Sequence, residues 1–128
     1  MAGDSGRFGV DVDRRVTAGP GVVVLTLTGE LDHDTADPLR TALDEQIEAG
    51  AARIVVDCAA LTFCDSTGLN ALLRARLQAQ EAGGRVELAD LRPPVNRMFE
   101  ITGARTVFTV HDDLRAALAA ADRRPEQR

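Results

Sequence analysis

A serine stands where a buried strand is predicted to turn into a helix, and its hydroxyl is the group in this chain best placed for covalent modification. Ser66 lies in the segment 63–69, which reads FCDSTGL. The other serine is Ser5, in a glycine-rich N-terminal stretch, so a serine-directed modification of the folded body has one target. A phosphate on Ser66 would add about −1.5 to −2 charges at a helix start, where the helix dipole tolerates an anion.

The residues around this serine also have a structural interpretation. The first backbone N–H groups of a helix lack partners within the helix, and a side-chain oxygen of Asp65 or Ser66 can accept from one of them. Such a cap explains one polar residue. Four polar or small residues stand together here, Asp65-Ser66-Thr67-Gly68. We therefore keep both interpretations, a helix cap and a surface that a partner protein recognises.

Hydrophobic periodicity predicts the elements that precede this junction. Alternation around Val10 and Val12 indicates an edge strand, and residues 23–28 indicate a second strand that pairs with it as a hairpin through Gly19-Pro20-Gly21. A helix is predicted over residues 35–49, with Asp34 or Thr35 as its N-cap and Gly50 as its end. The apolar run 54–56 is typical of a central strand.

The elements that follow alternate in the same way. A helix is predicted from Ser66 to Gly83-Gly84, with Leu69, Leu72, Leu73 and Leu77 as its apolar stripe. The remaining predictions are a strand at 86–88, a helix from Pro93-Pro94 to Gly103, a strand at 107–110, and a last helix capped by Asp112 or Asp113. This order predicts an α/β fold, with a mixed sheet of about four to five strands and about four helices.

Composition limits the function classes. The 128 residues predict one domain over residues 7–121, with flexible tails at 1–6 and 122–128. A net charge of −5 and the absence of Trp and Tyr argue against a nucleic-acid surface. No apolar run approaches the ~20 residues that span a bilayer, and no signal peptide is evident, so we expect a cytoplasmic protein without a membrane partner. Two cysteines, Cys58 and Cys64, predict reduced thiols.

The residue types suggest two rival kinds of chemistry. Asp32-His33-Asp34 offers metal-ligating side chains, but a calcium loop beginning there would lack its later oxygen ligands, so a solvated acidic loop is favoured and no metal is expected. Cys64 next to a helix start could have a lowered pKa and act as a nucleophile. That role also needs a general base, for which His33 is only a distant candidate, so we predict no catalytic residue. His111 is interpreted as a surface residue.

Several segments in order carry a resemblance to a known family. They are GELDHDTA at 29–36, IVVD at 54–57, DSTGL at 65–69 and PPVNRMF at 93–99. In this order they resemble the STAS domain of bacterial anti-sigma-factor antagonists, over about residues 10–118. The chain departs from the family pattern at Cys64, where a larger apolar residue is common, and in a somewhat longer charged C-terminus.

The resemblance implies a binding protein that is switched by phosphorylation and needs no cofactor. In that family the unmodified antagonist binds an anti-sigma factor that is also a serine kinase, and a sigma factor is released. The kinase then phosphorylates the serine, here Ser66, and a serine phosphatase resets it. By the same likeness, the partner-binding residues would be Asp32, Asp65, Ser66, Thr67 and Gly68. The alternative left open is a STAS subunit of a sensory or transport assembly that binds a nucleotide, a lipid or a protein independently of Ser66.

Overall fold

A five-stranded mixed sheet organises the part of the chain that the computed structural model describes, residues 7–14 and 21–120. The strands follow the chain in spatial order: β1 (Gly9–Asp13), β2 (Val22–Leu31), β3 (Arg53–Cys64), β4 (Arg85–Ala89) and β5 (Val110–His111). Four α-helices connect or follow them: α1 (Ala36–Glu48), α2 (Ser66–Glu81), α3 (Pro93–Thr102) and α4 (Leu114–Ala119). The predicted tails, residue 121 of the predicted domain, and Gly19-Pro20 of the predicted turn lie outside the described residues.

The strand pairing confirms the mixed sheet. β1 pairs antiparallel with β2 at one edge, as the predicted hairpin requires, whereas β2, β3, β4 and β5 are parallel neighbours. The predicted central strand at 54–56 extends to twelve residues in β3. Because β3 lies in the middle of a sheet covered on both faces, its apolar run is continuous instead of alternating.

The two faces of the sheet are covered unequally. Ile54 and Val56 face the main core, in which the sheet packs against α1, α2 and α3. Val55 points to the opposite face and joins a smaller cluster with Ala89 and Ala117, where Ala117 belongs to α4. The short helix α4 therefore covers the face that the three longer helices leave open. Among the described residues no helix is both long and apolar enough to cross a membrane.

Two details differ from the sequence predictions. The predicted strand at 107–110 is wrong except at its end: a 3-10 turn occupies Ala104–Thr106, and the strand begins at Val110. The reason is that Phe108 leaves the strand pattern and packs against Phe99, with ring centroids 6.0 Å apart. Leu77 is 53% exposed, so it is not part of the buried stripe of α2. That stripe continues along small residues instead, Ala71, Ala75 and Ala79.

A cluster of ionic side chains lies on the sheet face that α4 covers, with Arg53 and Glu87 as its buried members. Arg53 is 2% exposed and donates from Nε to Oε1 of Glu87 at 2.8 Å. Its Nη2 donates to the carbonyl of Ala117 at 2.6 Å, which ties α4 to β3. His111 Nε2 lies 2.9 Å from the same Glu87 oxygen, and Arg85 lies 3.2 Å from the other. The prediction that His111 is a surface residue is therefore wrong, because its ring is held against a buried carboxylate.

Candidate functional site

The candidate site lies where two parallel strands end side by side. Leu31 at the end of β2 pairs with Cys64 at the end of β3, and the backbone N–H of Asp65 donates to the Leu31 carbonyl at 3.0 Å. Asp32 and Asp65 are the residues that directly follow this pair. Since the carboxyl ends of parallel strands open onto one edge of the sheet, the structure brings the Asp32 loop and the start of α2 together.

Asp65 is the cap of α2. Its backbone is extended, with φ −97° and ψ −174°, and its Oδ1 accepts from the backbone N–H of Gly68 at 3.0 Å. Ser66 is then the first helical residue, is exposed, and has a hydroxyl with no hydrogen-bond partner among the described residues. The two interpretations of this segment therefore apply to two adjacent residues. Asp65 caps the helix by accepting from a backbone N–H group, and Ser66 presents a hydroxyl without a hydrogen-bond partner.

The loop that carries Asp32 is held by its own hydrogen bonds. Asp32 Oδ1 accepts from the backbone N–H of Asp34 at 2.9 Å. Thr35 Oγ1 accepts from the backbone N–H of Asp32 at 2.8 Å and donates to the carbonyl of Glu30 at 2.9 Å. Thr35 occupies the N-cap position of α1, as predicted, but its side chain makes no capping bond because it is used within this loop. The Asp32 carboxylate is therefore presented from an ordered loop.

A groove between α1 and α2 begins at Ser66 and has a volume of about 410 Å³. Its polar lining from α2 comes from Thr67 and from a row of four residues spaced four apart, Ser66, Asn70, Arg74 and Gln78. The lining from α1 includes Arg40 and Asp44. Sequence reasoning missed this groove, although the spacing of four on one helix face was a signal for a polar stripe beside the serine.

Comparison with known proteins settles the family. The profile of the family described as "Mlab, STAS domain" matches residues 15–110. The chain belongs to the STAS domain family. An anti-sigma F factor antagonist of Paenibacillus polymyxa is 34% identical over 94 residues, which are 73% of this chain and 80% of that protein. The anti-sigma-B factor antagonist of Bacillus subtilis is 29% identical over 89 residues, 69% of this chain and 80% of that protein.

Solved structures agree with this assignment. The crystal structure of an anti-sigma factor antagonist from Mycobacterium paratuberculosis is similar to this STAS domain with a TM-score of 0.77 and 25% sequence identity. The similarity covers 88% of this chain and 92% of that one. The predicted α/β fold and the family resemblance are both confirmed.

Gly68 allows α2 of this STAS domain to approach the end of β2. A Cβ atom at position 68 would lie 2.5 Å from Cγ of Leu31 and 3.2 Å from Sγ of Cys64. Both neighbours are buried, so neither can move aside without disturbing the core. Gly68 is itself buried, and its contribution to the site is to let α2 begin close to the Asp32 loop.

We expect Gly68→Ala to lower the free energy of unfolding by about 1–3 kcal/mol, the usual cost of overpacking a core. The gain in helix propensity, at most about 1 kcal/mol, offsets only part of this clash. Urea denaturation at pH 7 measures the change. Asn70→Ala, at an exposed position of the same helix, is the matched control and should stay within about 0.5 kcal/mol of the wild type. Equal stability of Gly68→Ala and the control would contradict the close approach.

The rival chemistries gain no support from the geometry. Cys64 is 4% exposed, and burial, helped by the charge of Asp65, raises the pKa of its thiol to about 12. A nucleophilic thiol needs a lowered pKa. The suggestion that Cys64 has one is therefore wrong. Cys58 is buried, and burial raises the pKa of its thiol as well. Within the described ranges, no three His, Cys, Asp or Glu side chains are grouped so as to hold a metal ion.

Proposed function

We propose that this STAS domain is an anti-sigma-factor antagonist whose partner is an anti-sigma factor that is also a serine kinase. In the unphosphorylated state it binds that kinase in the cytoplasm and frees a sigma factor. Phosphorylation of Ser66 ends the binding, and a serine phosphatase restores it. The general role is supported by the relatives, which are named anti-sigma factor antagonists.

The observation that carries the switch is the position of Ser66. Its hydroxyl is exposed at the first residue of a sixteen-residue helix, and Asp65 supplies the cap, so the serine can be modified without loss of a structural hydrogen bond. The helix dipole tolerates the added negative charge at this end. Phosphorylation should therefore change the surface of the protein while leaving its fold intact.

The proposed docking surface consists of the residues at this sheet edge, namely Asp32, Asp65, Ser66, Thr67 and Gly68. The two carboxylates and the Thr67 hydroxyl offer hydrogen-bond acceptors and a donor to a partner. Ser66 presents the hydroxyl that the partner modifies, and buried Gly68 sets how closely the helix start approaches the Asp32 loop. In this proposal Ser66 is a substrate of the partner, and none of the five residues performs catalysis.

Intact mass with fragmentation, on protein isolated from its native host in growing and in stressed cells, tests the proposal. We expect one phosphate, located on Ser66, in a fraction of molecules that differs between the two conditions. Ser66→Ala expressed in the same host is the control and should carry none. A phosphate at another residue, or none under either condition, would contradict the switch and favour the alternative of a STAS subunit that binds its ligand or partner constitutively.

A further inference from the structure

An arginine shares the groove with the phosphorylation site. Arg40 of α1 and Ser66 of α2 both line the groove between these helices. We propose that Arg40 binds the phosphate on Ser66 within the same molecule and keeps it in the dianionic form at neutral pH. This inference rests on the proposed function, because it concerns the state of Ser66 after phosphorylation.

The direction of the helices brings Arg40 toward the serine. α1 and α2 follow the paired ends of β2 and β3, so both helices begin at the same edge of the sheet. Arg40 is the fifth residue of α1, and long side chains on a helix lean toward its N-terminus. The guanidinium therefore extends toward the sheet edge at which Ser66 begins α2.

Arg40 has only a weak competing partner in the unmodified protein. Its Nη1 pairs with Oδ1 of Asp37 one turn earlier on α1, and the two side chains are 43% and 88% exposed. Exposed pairs of this kind contribute little, since water screens the charges and two long side chains lose freedom. A phosphate dianion offers three acceptor oxygens and a second negative charge, and the planar guanidinium fork suits it better than one exposed carboxylate.

The other charged groups around Ser66 determine how much electrostatic repulsion of the phosphate Arg40 must offset. Asp44 lines the groove, Asp65 precedes the serine, and Asp32 lies in the adjoining loop; all three carboxylates oppose a dianion. Arg74 is the other cation in the groove, but it is eight residues along α2, a rise of about 12 Å. Its influence on the phosphate should be weaker than that of Arg40. Removal of Arg40 would thus leave the phosphate among carboxylates.

Titration of the phosphate by ³¹P NMR tests this contact. Phosphoserine is encoded at position 66 during translation, so no kinase is needed, and the second pKa of the phosphate is measured in the wild type and in variants. In Arg40→Gln we expect this pKa to be higher than in the wild type by about 0.5 to 1, as for the loss of a nearby opposite charge. Arg74→Gln should raise it by less.

Two further variants make the result specific. Arg97→Gln removes the same charge at an exposed position of α3, away from the groove, and should leave the phosphate pKa unchanged. Arg40→Lys keeps the charge and should preserve most of the lowering. Equal phosphate pKa values in Arg40→Gln and Arg97→Gln would overturn the inference, while the proposed function would stand. Absence of phosphate on the protein from its host would instead overturn the proposed function. The two failures can be distinguished, because the encoded phosphoserine reports the contact with Arg40 whether or not the host phosphorylates Ser66.

Discussion

Ser66→Asp should bind the proposed partner kinase about 5- to 150-fold more weakly than the wild type, and Ser66→Ala should bind as tightly as the wild type. The alanine variant loses only a hydroxyl that makes no hydrogen bond within the described structure. The aspartate adds a charge to a surface that already presents Asp32 and Asp65. A negatively charged group of the partner, ~6 Å from the new charge, would be disfavoured by roughly 1–3 kcal/mol. Each 1.4 kcal/mol corresponds to tenfold in affinity.

Phosphorylated protein should bind more weakly still than Ser66→Asp. A phosphoserine carries about −1.5 to −2 charges at pH 7, against −1 for an aspartate, and it is bulkier. We therefore expect affinity to fall in the order wild type and Ser66→Ala, then Ser66→Asp, then the phosphorylated protein. Calorimetric titration of the anti-sigma factor kinase from the same host with each form measures this order.

A charge control separates a local effect from a change in net charge. Gln80→Glu adds one negative charge at an exposed position fourteen residues further along α2, near the opposite end of the helix. This variant should bind like the wild type. Equal affinity for the wild type, Ser66→Asp and phosphorylated protein would show that the switch does not act at Ser66. Weakening of Gln80→Glu to the same extent as Ser66→Asp would point to a nonspecific charge effect.

Local signals made the start of α2 predictable from sequence. A capping residue, a serine, a small residue and then an apolar run mark a helix start wherever they occur in this order, and Gly83 marks the end. The structure confirms a helix over Ser66–Glu81, with Asp65 as its cap. The proximity of the Asp32 loop to Ser66 was predicted from the family resemblance. It depends on the register of β2 against β3, which the local sequence does not encode.

The groove and the buried ionic cluster could not be predicted, because both depend on contacts between distant segments. Arg40 and Ser66 line one groove only once α1 and α2 are packed. Glu87 stands between Val86 and Leu88, a pattern that normally places the polar residue in water. It is 6% exposed instead, because α4 covers that face of the sheet and Arg53, 34 residues away, supplies the opposite charge.

The stability of the whole domain should depend strongly on this glutamate. Glu87→Gln keeps the shape of the side chain but removes the charge that pairs with Arg53, whose guanidinium is buried. Loss of one partner from a buried ion pair typically costs about 3–5 kcal/mol, because the other charge stays in a poorly solvated place. The retained amide oxygen can still accept a hydrogen bond, so we expect a loss of about 3 kcal/mol, the lower end of that range.

Urea denaturation at pH 7 measures this loss, and Glu100→Gln is the matched control. Glu100 lies at an exposed position of α3, where the same change should alter the free energy of unfolding by less than about 0.5 kcal/mol. A second variant, Arg53→Met with Glu87→Leu, removes both charges and should recover part of the loss, since no buried charge remains unpaired. Recovery should be incomplete, because the carbonyl of Ala117 loses its donor. Equal stability of Glu87→Gln and Glu100→Gln would contradict the role assigned to the pair.

The loss of unfolding free energy in Glu87→Gln should depend on pH, in a direction set by the pKa of Glu87. Burial alone would raise that pKa, but hydrogen bonds from His111 and Arg53, with the charges of Arg53 and Arg85, outweigh it and lower the pKa below its ordinary value of 4.5. A carboxyl whose pKa is lower in the folded state contributes its full stability above pH 4.5 and loses it as the pH falls through the folded pKa. The stability difference between wild type and Glu87→Gln should therefore shrink as the pH falls from 4.5 toward the folded pKa of Glu87, where the wild-type carboxyl also becomes neutral. A difference that grew as the pH fell below 4.5 would mean that Arg53 and His111 do not stabilise the charged form of Glu87.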